Sequence, residues 1–389
     1  TDCQKMSNFL SNRSIIAIVV AFLLVMPTIT IVVKADDILV DDDGPADHTS
    51  IQDAINAANP GDTIWVEDGS YTENLTVNKA NLKILSVNGY QPKLYLTSAS
   101  PGIHIQSPNV VFGSGSTSND GFKIYGNSGS GGAPTIQVSD AADGTIIRDN
   151  TILAITGEIG NTAMLVESGA EDIEFTGNSV TDFNLGVSLQ SSTECFISGN
   201  SFSNVNNSIY HAARITGTST YFGTIQDAID RADSEDSISV LSGEYTENIQ
   251  INKSITLQGL QQGQDPTSSR PGDESIINGN TLSPIRIVQN TSDVTIDGFT
   301  LTIPNKSGSS NEAGVLISKG SENIVVQNNI FENITDGPGD DNTSNEAYAV
   351  MVWGRDDSLG GQKNIEIKNN LIQNVEEYGI AINDNTSHV

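Results

Sequence analysis

Short runs in which apolar and polar residues alternate recur along most of the chain. Ile173-Glu174-Phe175-Thr176-Gly177-Asn178 matches Cys195-Phe196-Ile197-Ser198-Gly199-Asn200. The template returns as Ile324-Val325-Val326-Gln327-Asn328-Asn329, Ile365-Glu366-Ile367-Lys368-Asn369-Asn370 and Thr145-Ile146-Ile147-Arg148-Asp149-Asn150. A period of two marks a strand with one face turned inward, and the Asn closing each run marks a tight turn. A second strand type reads Gly186-Val187-Ser188-Leu189, Gly314-Val315-Leu316-Ile317, Ala349-Val350-Met351-Val352 and Gly379-Ile380-Ala381-Ile382. Asn178 and Asn200 are 22 residues apart, the length of one three-strand coil. Longer intervals contain polar inserts, one of them holding Asp336-Gly337-Pro338-Gly339-Asp340.

A larger repeat overlies this one. Ile51-Gln52-Asp53-Ala54-Ile55 returns 174 residues later as Ile225-Gln226-Asp227-Ala228-Ile229. Gly69-Ser70-Tyr71-Thr72-Glu73-Asn74 returns at the same offset as Gly243-Glu244-Tyr245-Thr246-Glu247-Asn248. Ser50 and Thr224 suit helix N-caps, and Ile51, Ala54, Ile55 and Ala58, like Ile225, Ala228, Ile229 and Ala232, follow helical spacing. A single coil cannot bury its inner face, whereas coils stacked about 4.8 Å apart align their inward residues into a continuous core. Asn side chains at the turns can then bond from coil to coil, which makes Asn150, Asn178, Asn200, Asn329 and Asn370 a structural ladder. The leading helix would cover strand edges at the start of each copy. The expected fold is all-β: a right-handed parallel β-helix (solenoid) in two tandem units, 36–215 and 216–389, each opened by a short amphipathic capping helix. A leucine-rich-repeat solenoid also carries Asn ladders, but Leu is too rare and the coil length too irregular for one.

Residues 1–35 read as an export signal. Met6 suits a start, Arg13 supplies a positive region, Ile15–Val33 is an apolar run, and Val33-Lys34-Ala35 suits cleavage. An uncleaved anchor is the rival reading, since such a run can cross a bilayer. The formal charge is −30 and would be −32 after cleavage. Acidity of this size repels nucleic acid and anionic lipid, so nucleic acid is not an expected partner. A membrane would be met only through the N-terminal segment or a missing C-terminal anchor. Cleavage would remove Cys3 and leave Cys195, which excludes a disulfide framework or a Cys-rich zinc site. His48, His104, His211 and His388 lack metal-ligand spacing. Sequons at Asn74, Asn206, Asn252, Asn290, Asn305, Asn333, Asn342 and Asn385 fit a glycosylated surface protein. By its register, His388-Val389 should begin another strand, so the second unit is expected to be truncated at Val389.

Val40-Asp41-Asp42-Asp43-Gly44, Ser50-Ile51-Gln52-Asp53-Ala54-Ile55, Gly61-Asp62-Thr63-Ile64 and Gly69-Ser70-Tyr71-Thr72-Glu73-Asn74 resemble the start of right-handed β-helix repeats in archaeal cell-surface and surface-layer proteins of the pectin-lyase-like superfamily. The resemblance covers nearly all of residues 37–389. It implies the fold and leaves the activity open, because the superfamily spans lyases, esterases, polygalacturonases, adhesins and surface-layer components. The opening also resembles that of pectin methylesterases, but the catalytic aspartates, arginine and glutamines of those enzymes have no counterpart motifs here.

No catalytic set stands out. A polysaccharide lyase needs a base, usually Lys or Arg, near carboxylates able to hold calcium. Outward positions before the Asn turns supply Arg148, Thr176 and Ser198 in the first unit, and Asp297, Gln327 and Lys368 in the second, with Glu366 beside Lys368. Asp297, Glu366 and Lys368 are the best lyase-like grouping; ordinary exposed strand charges are the competing reading. Asp41, Asp42 and Asp43 are candidate metal ligands for Ca2+, or a solvated turn, and no cofactor is required by the pattern. Asp340-Asp341 and Asp356-Asp357 read as solvated loop acids. Trp353, at the end of an inward-facing strand, should point outward as a candidate ligand-binding residue; Trp65 should also face out, and local packing is the alternative for both. His211 and Arg214 read as linker residues, Cys195 as a buried small hydrophobe, and Tyr71 and Tyr245 with Glu73 and Glu247 as a repeated structural turn. Two functions remain: a secreted or cell-surface structural or adhesive protein that binds carbohydrate or neighbouring envelope proteins, and a secreted polysaccharide lyase or glycoside hydrolase acting on acidic polysaccharide.

Overall fold

The computed structural model describes residues 35–382 except 88, 98–100, 116–119, 127–132, 155–159, 192, 269, 271, 305–310, 336–345 and 355–362. The signal or anchor segment, the insert at 336–340, Asp340-Asp341, Asp356-Asp357, three sequons (Asn305, Asn342, Asn385) and the chain from Asn383 to Val389 lie outside the described residues.

Alternation of apolar and polar residues becomes strand pairing in which each inward residue stacks on its counterpart one coil away. Ile84, Phe112, Ile147, Phe175 and Ile197 form one such column, none more than 5% exposed. Burial stabilises each of these side chains by roughly 1.5–3 kcal/mol. Successive coils pair in parallel and build a β-helix. Its first face is a continuous 14-stranded sheet. In the first half the other two faces join in one ten-stranded sheet, because Ser179–Leu189 runs through the bend between them. In the second half they separate into two five-stranded sheets. The parallel order breaks on the first face, where Ala213–Ile215 and Thr220–Phe222 pair antiparallel. The buried apolar residues fall into two large clusters, Val40–Ile197 and Ala212–Ile365.

Two helices, α1 (Ile51–Ala57) and α2 (Ile225–Arg231), are built alike. The hydroxyls of Ser50 and Thr224 accept from the amides of Asp53 and Asp227. The Glu73 carboxylate accepts from the amides of Ile51 and Gln52 and from the Ser50 hydroxyl; Glu247 accepts from the amides of Ile225 and Gln226. Acceptors are thus supplied to orphan helix N–H groups from the short connection between two later strands. The Gln52 side-chain amide both donates to the Thr76 carbonyl and accepts from the Thr76 amide, at 3.3 and 2.7 Å. Gln226 does the same to Gln250. Each glutamine thereby mimics the peptide of a neighbouring strand at an edge that would otherwise be unpaired. No helix among the described residues is long and apolar enough to cross a membrane.

Tyr71 and Tyr245 do not sit in a turn. They lie on strands Ser70–Thr72 and Gly243–Thr246, and their hydroxyls donate to the carbonyls of Glu67 and Leu241.

Candidate functional site

At the ladder positions, the preceding residue adopts a left-handed conformation: Asp149 (φ 59°), Gly177 and Gly199 (67°), Asn328 and Asn369 (54°). Gly, Asn and Asp tolerate this backbone best. Asn150 donates to Asn178 Oδ1 (3.2 Å), Asn178 to Asn200 (3.1 Å) and Asn329 to Asn370 (3.2 Å). The same amides reach buried carbonyls, including those of Ile147 and Ile296. These groups are consumed by the fold.

The lyase-like trio separates. Register does place Asp297, Gln327 and Lys368 in one row on three successive rungs. Asp297, however, is only 9% exposed and accepts from the Gly263 amide, Gln327 Nε2 and Asn328 Nδ2 at 2.8–2.9 Å. Two of these donors lie on the next rung and one in the segment after Gly259. Glu366 and Lys368 form their own exposed pair at 2.7 Å. A carboxylate so engaged and a lysine so paired do not converge on a shared point.

Asp41, Asp42 and Asp43 offer oxygens within 4.8 Å of one another. They could hold a cation, although Asp41 already accepts from the Asp43 amide and Asp42 from the Ser70 amide. Calcium takes six to eight oxygens, so further ligands would have to come from water or another molecule.

Trp353 is half-buried against Ala313, Leu316, Tyr348 and Met351, an apolar cluster separate from the two large ones. Tyr348 stacks on Tyr378 one rung away, at 5.7 Å between ring centroids and 17° between planes. Tyr378 is 52% exposed. A cleft of about 290 Å³ lies here, with Asn311 and Glu346 beside the two tyrosines and Met351. Trp65 is half-buried, its indole donating to Asp37 at 3.2 Å.

His211 and Arg214 belong to the antiparallel junction rather than to a linker. His211 is 8% exposed, sits edge-on to Tyr221 at 4.7 Å, and its Nε2 is buried without a hydrogen-bond partner among the described residues. Burial pushes its pKa down to about 4. Arg214 is exposed. Cys195 stacks in register with Ile173, fully buried, and burial pushes its thiol far above the ordinary range.

One outward grouping has no counterpart among the sequence expectations. Lys93-Leu94-Tyr95 and Lys123-Ile124-Tyr125 pair in register on adjacent rungs. Tyr95 and Tyr125 stack at 4.5 Å with 4° between planes, and Lys123 Nζ lies 5.6 Å from the Tyr125 centroid. The repeated Lys-apolar-Tyr triplet was the available signal. Only the second triplet is closed by Gly126-Asn127, whereas the first runs on into Leu96-Thr97, so a template built on the closing Asn does not pair the two.

No protein-family model and no curated protein matches the chain. Among solved structures it is similar to the catalytic unit of a GH87 α-1,3-glucanase from Streptomyces thermodiastaticus (12% identity, TM-score 0.27, 84% of this chain and 66% of that one). It is also similar to the A-module of a mannuronan C-5 epimerase of Azotobacter vinelandii (12%, 0.27, 87% and 93%). An alginate lyase from Paenibacillus sp. gives 14%, 0.20, 90% and 99%. This chain thus spans slightly under two thirds of the glucanase unit. At these identities and TM-scores the likenesses carry no argument about activity.

Proposed function

We propose that this protein is a secreted or cell-surface β-helix that binds carbohydrate on its outer faces. One observation carries the reading: Tyr95 and Tyr125 stack on neighbouring rungs of an outer face, and Tyr95 is exposed. Tyrosine combines an apolar ring with a polar tip and loses little conformational freedom on binding, which suits a ligand made of C–H faces and hydroxyls. Placement outside the cell is supported by the apolar segment before Asp36, the acidic surface, the surface-layer resemblance of the opening motifs and the exposed sequon residues Asn252, Asn290 and Asn333. Envelope proteins are the other partner class for such a surface.

A glycan panel probed with wild type and with Tyr95→Ser and Tyr125→Ser tests the reading. Saccharide binding weakened by either substitution is expected, and no retention of any glycan would sink it. The competing function, a polysaccharide lyase or hydrolase, predicts ultraviolet-absorbing product or new reducing ends from uronate or neutral polysaccharides. Turnover abolished by Lys368→Gln or Asp297→Asn would replace the binding reading. Amino-terminal sequencing of exported protein should find Asp36 first.

A further inference from the structure

The first-half stack differs from the second in the charge beside it. We propose that Lys93, Lys123, Tyr95 and Tyr125 form a site for a carboxylated saccharide. The proposal rests on the carbohydrate-binding reading and narrows its ligand.

Leu94 and Ile124 are fully buried in register, so the strands that carry these four outward side chains are anchored by the core. Groups held on such elements are positioned before a ligand arrives. Paired in-register positions place the two lysines on strands about 4.8 Å apart, where like charges repel. Neither lysine has a carboxylate within 4.0 Å among the described residues. The two flanking rungs offer Ser70 and Thr72 on one side and Thr151 and Leu153 on the other, none of them charged. In a chain with 48 acidic and 18 basic residues, two neighbouring unneutralised cations stand out against the acidic surface. A carboxylate lodged between them relieves their repulsion and gains two charge-assisted hydrogen bonds.

Further features narrow the anion. Lysine is a compact point charge and lacks the planar fork with which arginine takes phosphate. Tyr95 and Tyr125 turn their faces to each other, so ring edges and hydroxyls meet the solvent two positions along the strands from the lysines, and a sugar ring bearing the carboxylate can lie across them. Tyr95 is 37% exposed, and Lys123 is drawn toward the Tyr125 ring by cation–π attraction.

The test is calorimetric titration of the full chain with an oligoglucuronate tetramer, its methyl ester and a single-stranded oligonucleotide. Wild type should bind the tetramer at least tenfold more tightly than its ester. The double variant Lys93→Gln/Lys123→Gln should lose that preference while still binding the ester, and Tyr95→Ser should weaken both. Equal affinity for tetramer and ester, an unchanged preference in the lysine variant, or tighter binding of the oligonucleotide would overturn the site. In those cases ester binding that depends on Tyr95 would leave the broader carbohydrate reading standing. Failure of every saccharide to bind would overturn both. Lys83→Gln, on another face of the same coils, serves as the charge control and should change nothing.

Discussion

Replacing Asn178 by leucine, a side chain of similar size, should destabilise the β-helix far more than the same change at Asn200. Asn178 is 1% exposed. Its amide donates to the Ile147 carbonyl (2.9 Å), the Thr176 carbonyl (3.1 Å) and Asn200 Oδ1 (3.1 Å), and its oxygen accepts from the Asn150 backbone and side-chain nitrogens (3.0 and 3.2 Å). Leucine leaves the Ile147 carbonyl and the Asn150 amide buried without these partners. Each stranded polar group costs about 1–3 kcal/mol, so the expected loss is about 3–5 kcal/mol after a small gain from the added apolar surface. Asn200 is half-exposed at the end of the ladder, where water can replace the lost bonds, and should cost about 1 kcal/mol. Urea unfolding followed by circular dichroism gives both values from the shift in midpoint at unchanged slope. Exchange of the Asn150 amide with deuterium should quicken in the first variant. A loss at Asn178→Leu below about 1 kcal/mol, or one matched by Asn200→Leu, would refute the claim that the buried bonds of the ladder hold the coils in register.

Further outcomes follow from the same geometry. His211 has a folded pKa below its unfolded value of 6.5, down to about 4, so its contribution is complete above pH 6.5 and is lost as pH falls toward 4. The linkage amounts to about 2 kcal/mol between pH 7 and pH 5; His211→Phe should remove that increment from the pH dependence of the urea midpoint, and an unchanged profile would contradict the burial argument. Glu73→Ala takes away the acceptor of two helix amides and the Ser50 hydroxyl and should cost about 2 kcal/mol in thermal or urea unfolding. Gln226→Ala should speed exchange of the Gln250 amide with little change elsewhere, because only that strand edge loses its mimic. Cys195 should resist alkylation in the folded protein and react in urea, read by peptide mass; rapid labelling in the native state would mean that its column opens.

Coil strands, turn positions and leading helices were legible in the sequence because each depends on nearest neighbours. Alternation of period two sets which side chains can be buried, a Gly, Asp or Asn before the ladder Asn permits the left-handed turn, and Ser50 and Thr224 cap helices a few residues away. The duplicated Gln52 and Gln226 were visible as repetition, but their role required knowing which strand edge lies beside each helix. Asp297 shows the limit most clearly. Its alternation marks it as outward, yet the segment after Gly259 and Asn328 from the next rung bury and satisfy it, since residues about 30 positions away decide what covers an outer face. Lys93 and Lys123 are likewise 30 residues apart, and only coil length and register make them neighbours. By itself the sequence determined the periodicity, and with it a stack of parallel coils. The tertiary structure decided which outward side chains share a rung and which are covered, because stacking brings together residues that the chain keeps a whole coil apart.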